Sequence, residues 1–135
     1  MRGHPYIRAY MAGVLLPSWF LLIVLGGFLV GHLTQRLPAG LERALIFPMA
    51  VVPNLWGLWN LLYVSLGLKE RISIGAFGAV LPVVLVPAGV GLASALGLRF
   101  YTAGYALVAL PAIMAVYYLA WKYGVGFFNR VLELR

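Results

Sequence analysis

The chain has 135 residues, 64% of them hydrophobic and 10% charged, with a net charge of +7 and no cysteine. A soluble domain is about half apolar and a quarter charged, and so short a chain cannot bury this much Leu, Val, Phe and Trp around one aqueous core. The balance excludes an ordinary soluble fold, and the missing cysteines exclude disulfides, thiolate nucleophiles and thiolate-held metal centres.

A membrane span needs about 20 apolar residues, because the hydrocarbon layer is roughly 30 Å thick and a helix rises about 1.5 Å per residue. The first such run covers residues 10–31 and contains no charge. It is too long for a cleaved signal peptide and no A-x-A pattern follows it, so it reads as a retained anchor helix. A polar stretch through Arg36, Pro38 and Gly40 leads to a second run, residues 44–66, closed by Gly67 and the cluster Lys69-Glu70-Arg71. The third run is 74–98, broken by Arg99, and the fourth is 101–121, ending at Lys122. Beyond it, in residues 124–135, Phe127, Phe128, Val131 and Leu132 share one helical face, with Asn129, Arg130 and Glu133 away from it. That tail is expected to lie as a short helix in the membrane interface. The expected fold is an all-α integral membrane protein. It has one domain over residues 1–135, four transmembrane helices, both termini on the same side and a short C-terminal interfacial helix.

Basic residues set the orientation. The side holding both termini carries Arg2, Arg8, Lys69, Arg71, Lys122, Arg130 and Arg135, and the other carries Arg36, Arg43 and Arg99. The bias puts both termini in the cytoplasm and the chain in a cell membrane, inner or plasma, as a multi-pass protein. The same residues are scattered over the flanks of apolar runs rather than gathered in a stripe, which argues against a nucleic-acid partner.

Lipid is as apolar as leucine, so helices in it associate through close packing and polar contacts. Gly27 and Gly31 in the first run, and Gly89, Ala93 and Gly97 in the third, are spaced by four and form candidate helix-packing stripes. Prolines occur in every run (Pro17, Pro48, Pro53, Pro82, Pro87 and Pro111), and each removes a backbone donor inside the apolar layer. The segment Gly13-Val-Leu-Leu-Pro17 is echoed by Gly78-Ala-Val-Leu-Pro82, which suggests a parallel repeat of the two halves.

One constellation stands out. In the second run Trp56, Trp59, Asn60 and Tyr63 fall on one helical face, expected near the bilayer centre, with Asn54 about 120° around. Trp56, Asn60, Tyr63 and Asn54 form a candidate ligand face for an aromatic or amphipathic molecule. The competing reading is that both asparagines hydrogen-bond neighbouring helices. Catalytic residues are not evident: no span holds a carboxylate, Lys, Arg or central His. His4 and His32 fall at opposite ends of the first run, so no metal or cofactor site is expected. These observations lead to the expectation of a non-enzymatic accessory, assembly or structural subunit, packing against a membrane-protein partner or as a homo-oligomer within the lipid bilayer. The alternative is a small uncoupled channel or carrier using the second-run face.

Overall fold

Each apolar run becomes a helix, the local structure that satisfies its own backbone hydrogen bonds without water. The computed structural model describes residues 4–34, 41–95, 97 and 103–134, apart from the side chains of 41–50, 92, 93, 103 and 105–107. Among the described residues all regular structure is helical: α1 (Pro5–Leu33), α2 (Leu41–Ser65), α3 (Ile74–Ala95), α4 (Ala103–Leu119) and α5 (Gly126–Val131). The turn expected around Pro38 and Gly40, with Arg36, lies outside the described residues, as does Arg99. So do the side chains of Arg43, Pro48 and Ala93.

The first helix starts five residues before the apolar run does. Pro5 takes the first helical turn, where its missing N–H is not needed, and the His4 carbonyl accepts the Arg8 N–H at 3.2 Å. At the other end Thr34 Oγ1 donates to the Val30 carbonyl at 2.9 Å and stops the helix. After α2, Gly67 turns the chain with φ 61°, a left-handed value that glycine adopts without strain. Ser73 Oγ then accepts the Ala76 N–H at 3.2 Å and caps α3. That helix ends at Ala95 rather than residue 98, because Gly97 adopts φ 69° and bonds back to the Ser94 carbonyl.

The fourth run does not stop at residue 121 as its composition suggests. Helical bonding passes from α4 through a wider π-helical stretch, Ala120–Val125, and on into α5. Trp121 and Val125, both in this stretch, have fully buried side chains. α5 closes with paired bonds, Leu134 N–H to the Asn129 carbonyl and Glu133 N–H to the Arg130 carbonyl. Glu133 is left-handed at φ 52°, so this is a Schellman ending made without glycine.

The chain divides into two compact units, Met1–Leu66 with Phe128–Arg135, and Gly67–Phe127. In the first, α1 and α2 run antiparallel, burying Ala9, Ala12, Gly13, Pro17 and Leu21 against Pro53, Trp56, Gly57, Asn60 and Tyr63. In the second, α3 buries Gly75, Gly78, Leu81, Pro82 and Leu85, and Trp121 packs on Gly78. Three helical stretches, Pro5–Leu33, Ile74–Gly91 and Val108–Val131, are long and apolar enough to cross a membrane, so the chain reads as a multi-pass helical membrane protein.

Candidate functional site

Small residues decide where the helices of each unit meet. A Cβ on Gly13 would collide with the Trp56 carbonyl and come within 2.9 Å of the Gly57 Cα, so α1 and α2 touch backbone to backbone there. Gly57 faces the Tyr10 ring and Val14 in the same contact. In the second unit a Cβ on Gly78 would overlap the Trp121 ring, and one on Gly75 would lie 3.0 Å from Tyr118 and 3.1 Å from Lys122. The Lys122 ammonium lies 5.6 Å from the Tyr118 ring centre and 5.4 Å from that of Tyr123, within cation–π range.

Gly13 meets the backbone of Trp56, whereas Gly78 meets the ring of Trp121. Gly13 and Pro17 are buried in one unit, Gly78 and Pro82 in the other. The sequence separation from Gly13 to Trp56 is the same as that from Gly78 to Trp121, and each glycine lies against its tryptophan.

Close approach of α1 and α2 brings polar groups together at one end of the first unit. Asn60 is fully buried. Its Nδ2 donates to the Ala9 carbonyl at 2.7 Å and to Asn129 Oδ1 at 2.7 Å, and Asn129 Nδ2 donates back to Asn60 Oδ1 at 3.0 Å. Both hydrogens of the Asn60 amide are thereby engaged. Beside this pair, Arg8 Nη1 donates to the Leu132 carbonyl at 2.9 Å. That carbonyl is one of the two helix-end acceptors that the Schellman bonds leave over, and a cation there also complements the helix dipole. The Arg8 Nε is buried without a hydrogen-bond partner among the described residues.

The residues of the candidate ligand face are placed as follows. Trp56 and Tyr63 are each 5% exposed and Asn60 is covered by Asn129, so the face is filled from within the unit. Asn54 is exposed and accepts a hydrogen bond from the Tyr10 hydroxyl. Asn129 belongs to the buried side of its helix, not the outer face assigned from periodicity, because a matching amide waits on α2. Arg8, Ala9 and Asn129 are members of the cluster that periodicity did not mark. A lone Asn in an otherwise apolar tail was the available signal for the last of them.

The candidate packing stripes fare differently. Gly27 has open space where a Cβ would be, Gly31 is half-buried, and Gly89 is half-buried. Gly97 lies beyond the end of α3 in a left-handed conformation and has open space, so it is off the register of the helix. Among the described residues no three of His, Asp and Glu gather as metal ligands would. No protein-family model, curated protein or solved structure matches the chain, so its own residues carry the functional reading.

Proposed function

We propose that the chain crosses a cell membrane four times with both termini in the cytoplasm, and that it acts without catalysing a reaction, as an accessory, assembly or structural subunit packed against a membrane-protein partner or a second copy. α2, with 25 residues, is the fourth span in this reading, long enough at about 1.5 Å per residue to cross. α1 has 29 residues and is about 43 Å long, which exceeds the roughly 30 Å hydrocarbon layer. In this reading the surplus lies at the N-terminal side of α1, with Arg8, Ala9 and the Asn60–Asn129 pair toward the cytoplasmic edge of the bilayer.

The observation that carries the reading is the contrast between buried polar groups and outward surface. The buried amides of the first unit are engaged with each other and with the backbone. The outward surface is broad and apolar: Trp19, Phe20, Ile23 and Val30 on α1, Val80, Val83 and Val84 on α3, and Val116 on α4 are all exposed. Helices bearing such faces, with charged residues such as Arg8, Glu42, Arg43, Lys122 and Arg130 confined to their end regions, are suited to packing rather than to acid–base or nucleophilic chemistry. Gentle extraction followed by native mass spectrometry in lipid nanodiscs tests this. A stoichiometric complex or a defined homo-oligomer is expected. A strictly monomeric chain that turns over a substrate or conducts an ion would overturn the proposal.

A further inference from the structure

We propose that residues 128–134 are a latch: the end of the chain docks on the open end of the α1/α2 hairpin and sequesters the Asn60 amide. Three observations in the first unit converge on it. The Asn60–Asn129 bonds are reciprocal, at 2.7 and 3.0 Å, so neither amide is satisfied without the other. Arg8, near the start of α1, reaches the Leu132 carbonyl of the tail at 2.9 Å. The segment also carries its own helix ending, the Glu133 and Leu134 bonds to Arg130 and Asn129, and on its other side it leaves the π-helical stretch Ala120–Val125, the kind of place at which a continuous helix bends.

A comparison of the two units adds to these. At the position that corresponds to Asn60, four residues after the tryptophan that meets the glycine, the second unit has Val125, and both side chains are fully buried. Within its own unit a valine needs no polar partner there. The amide occurs in the unit to which the tail belongs. An asparagine at a buried helix face is costly alone and stable when its partner is docked, which is the requirement for a two-state closure. With the latch open, the hairpin end presents the Asn60 amide and the Ala9 carbonyl to a second membrane helix that carries a hydrogen-bonding side chain.

Because the chain has no native cysteine, Ala9→Cys supplies a single reporter thiol at a fully buried position whose carbonyl accepts from Asn60. Maleimide alkylation in nanodiscs is expected to be slow in this background and at least about tenfold faster when Asn129→Leu is added, since alkylation reports the open population. Met11→Cys, at a residue that is 52% exposed, serves as the control and should react at one rate with or without Asn129→Leu. If Asn129→Leu fails to insert, Arg8→Met removes only the Leu132 contact and should still raise the rate at position 9. A rate at position 9 that neither Asn129→Leu nor Arg8→Met raises above that of the Ala9→Cys chain alone would show that the tail does not cover the hairpin and would overturn the proposal. The latch draws its membrane setting from the function proposed above. Failure to recover any partner or oligomer would sink that reading and leave the protection of position 9 unaffected.

Discussion

Replacing Asn129 with leucine removes one amide from a pair whose other member is fully buried. Asn60 then keeps its bond to the Ala9 carbonyl but loses both an acceptor for its second hydrogen and the donor to its Oδ1. Polar bonds between membrane helices are worth about 0.6 kcal/mol on average and at most about 1.7, because the unfolded chain in lipid also finds partners. An orphaned buried group adds a penalty of about 1–3 kcal/mol. The single substitution should therefore destabilise the protein by about 1–3 kcal/mol. Asn60→Leu should reach the upper part of that range, since it also strips the Ala9 carbonyl of its side-chain donor. The chain carrying both leucines loses the bonds but leaves no amide stranded, so its deficit should be smaller than the sum of the two single deficits by about 1–2 kcal/mol, a coupling within the range for residues in direct contact. Reversible unfolding in mixed SDS micelles, followed by circular dichroism, measures all four chains of the cycle. A coupling below about 0.3 kcal/mol, the scatter expected of independent sites, would mean that the two amides do not act as a pair and would refute the reasoning.

The glycines should sort by what a Cβ would meet. Gly13→Ala drives a methyl into the Trp56 and Gly57 backbone, which has no rotamer through which to yield, and should cost about 1–3 kcal/mol in the same assay. Gly78→Ala should displace Trp121 and shift its fluorescence, whereas Gly27→Ala, facing open space, should stay within about 0.5 kcal/mol; equal costs for Gly13→Ala and Gly27→Ala would contradict the packing described. For topology, a reporter active only outside the cytoplasm should be silent when fused after Arg135 and active when inserted near Pro38, and the reverse pattern would invert the proposed orientation.

The helices themselves were legible in the sequence, because bilayer thickness sets a length that a one-dimensional count of apolar residues detects. Residues 44–66 became Leu41–Ser65, and residues 74–98 became Ile74–Ala95. The early start of α1 was also readable, in a proline at the first turn, but it was masked by the charge on Arg8. Arg8 fits within a helix because its guanidinium reaches the Leu132 carbonyl. The candidate site was half legible. Asn60 was marked because a polar residue amid Leu and Trp is conspicuous, and its burial follows from Gly57 and Trp56 sharing its face.

What periodicity could not supply was the identity of the partners, since a helical wheel knows only its own axis. Gly27 and Gly13 look alike in an apolar run, yet only Gly13 lies where another backbone crosses. Asn129 sits opposite the apolar stripe of its own tail, and a pattern read in isolation turns it outward. An amide on α2, almost seventy positions away in the chain, decides otherwise. Sequence alone thus determined that the chain is helical and belongs in a membrane, because both follow from the transfer of local segments out of water. Tertiary structure alone decided which small residues carry the helix contacts and which polar groups meet, because short-range packing and hydrogen bonds are properties of pairs distant in sequence and close in space.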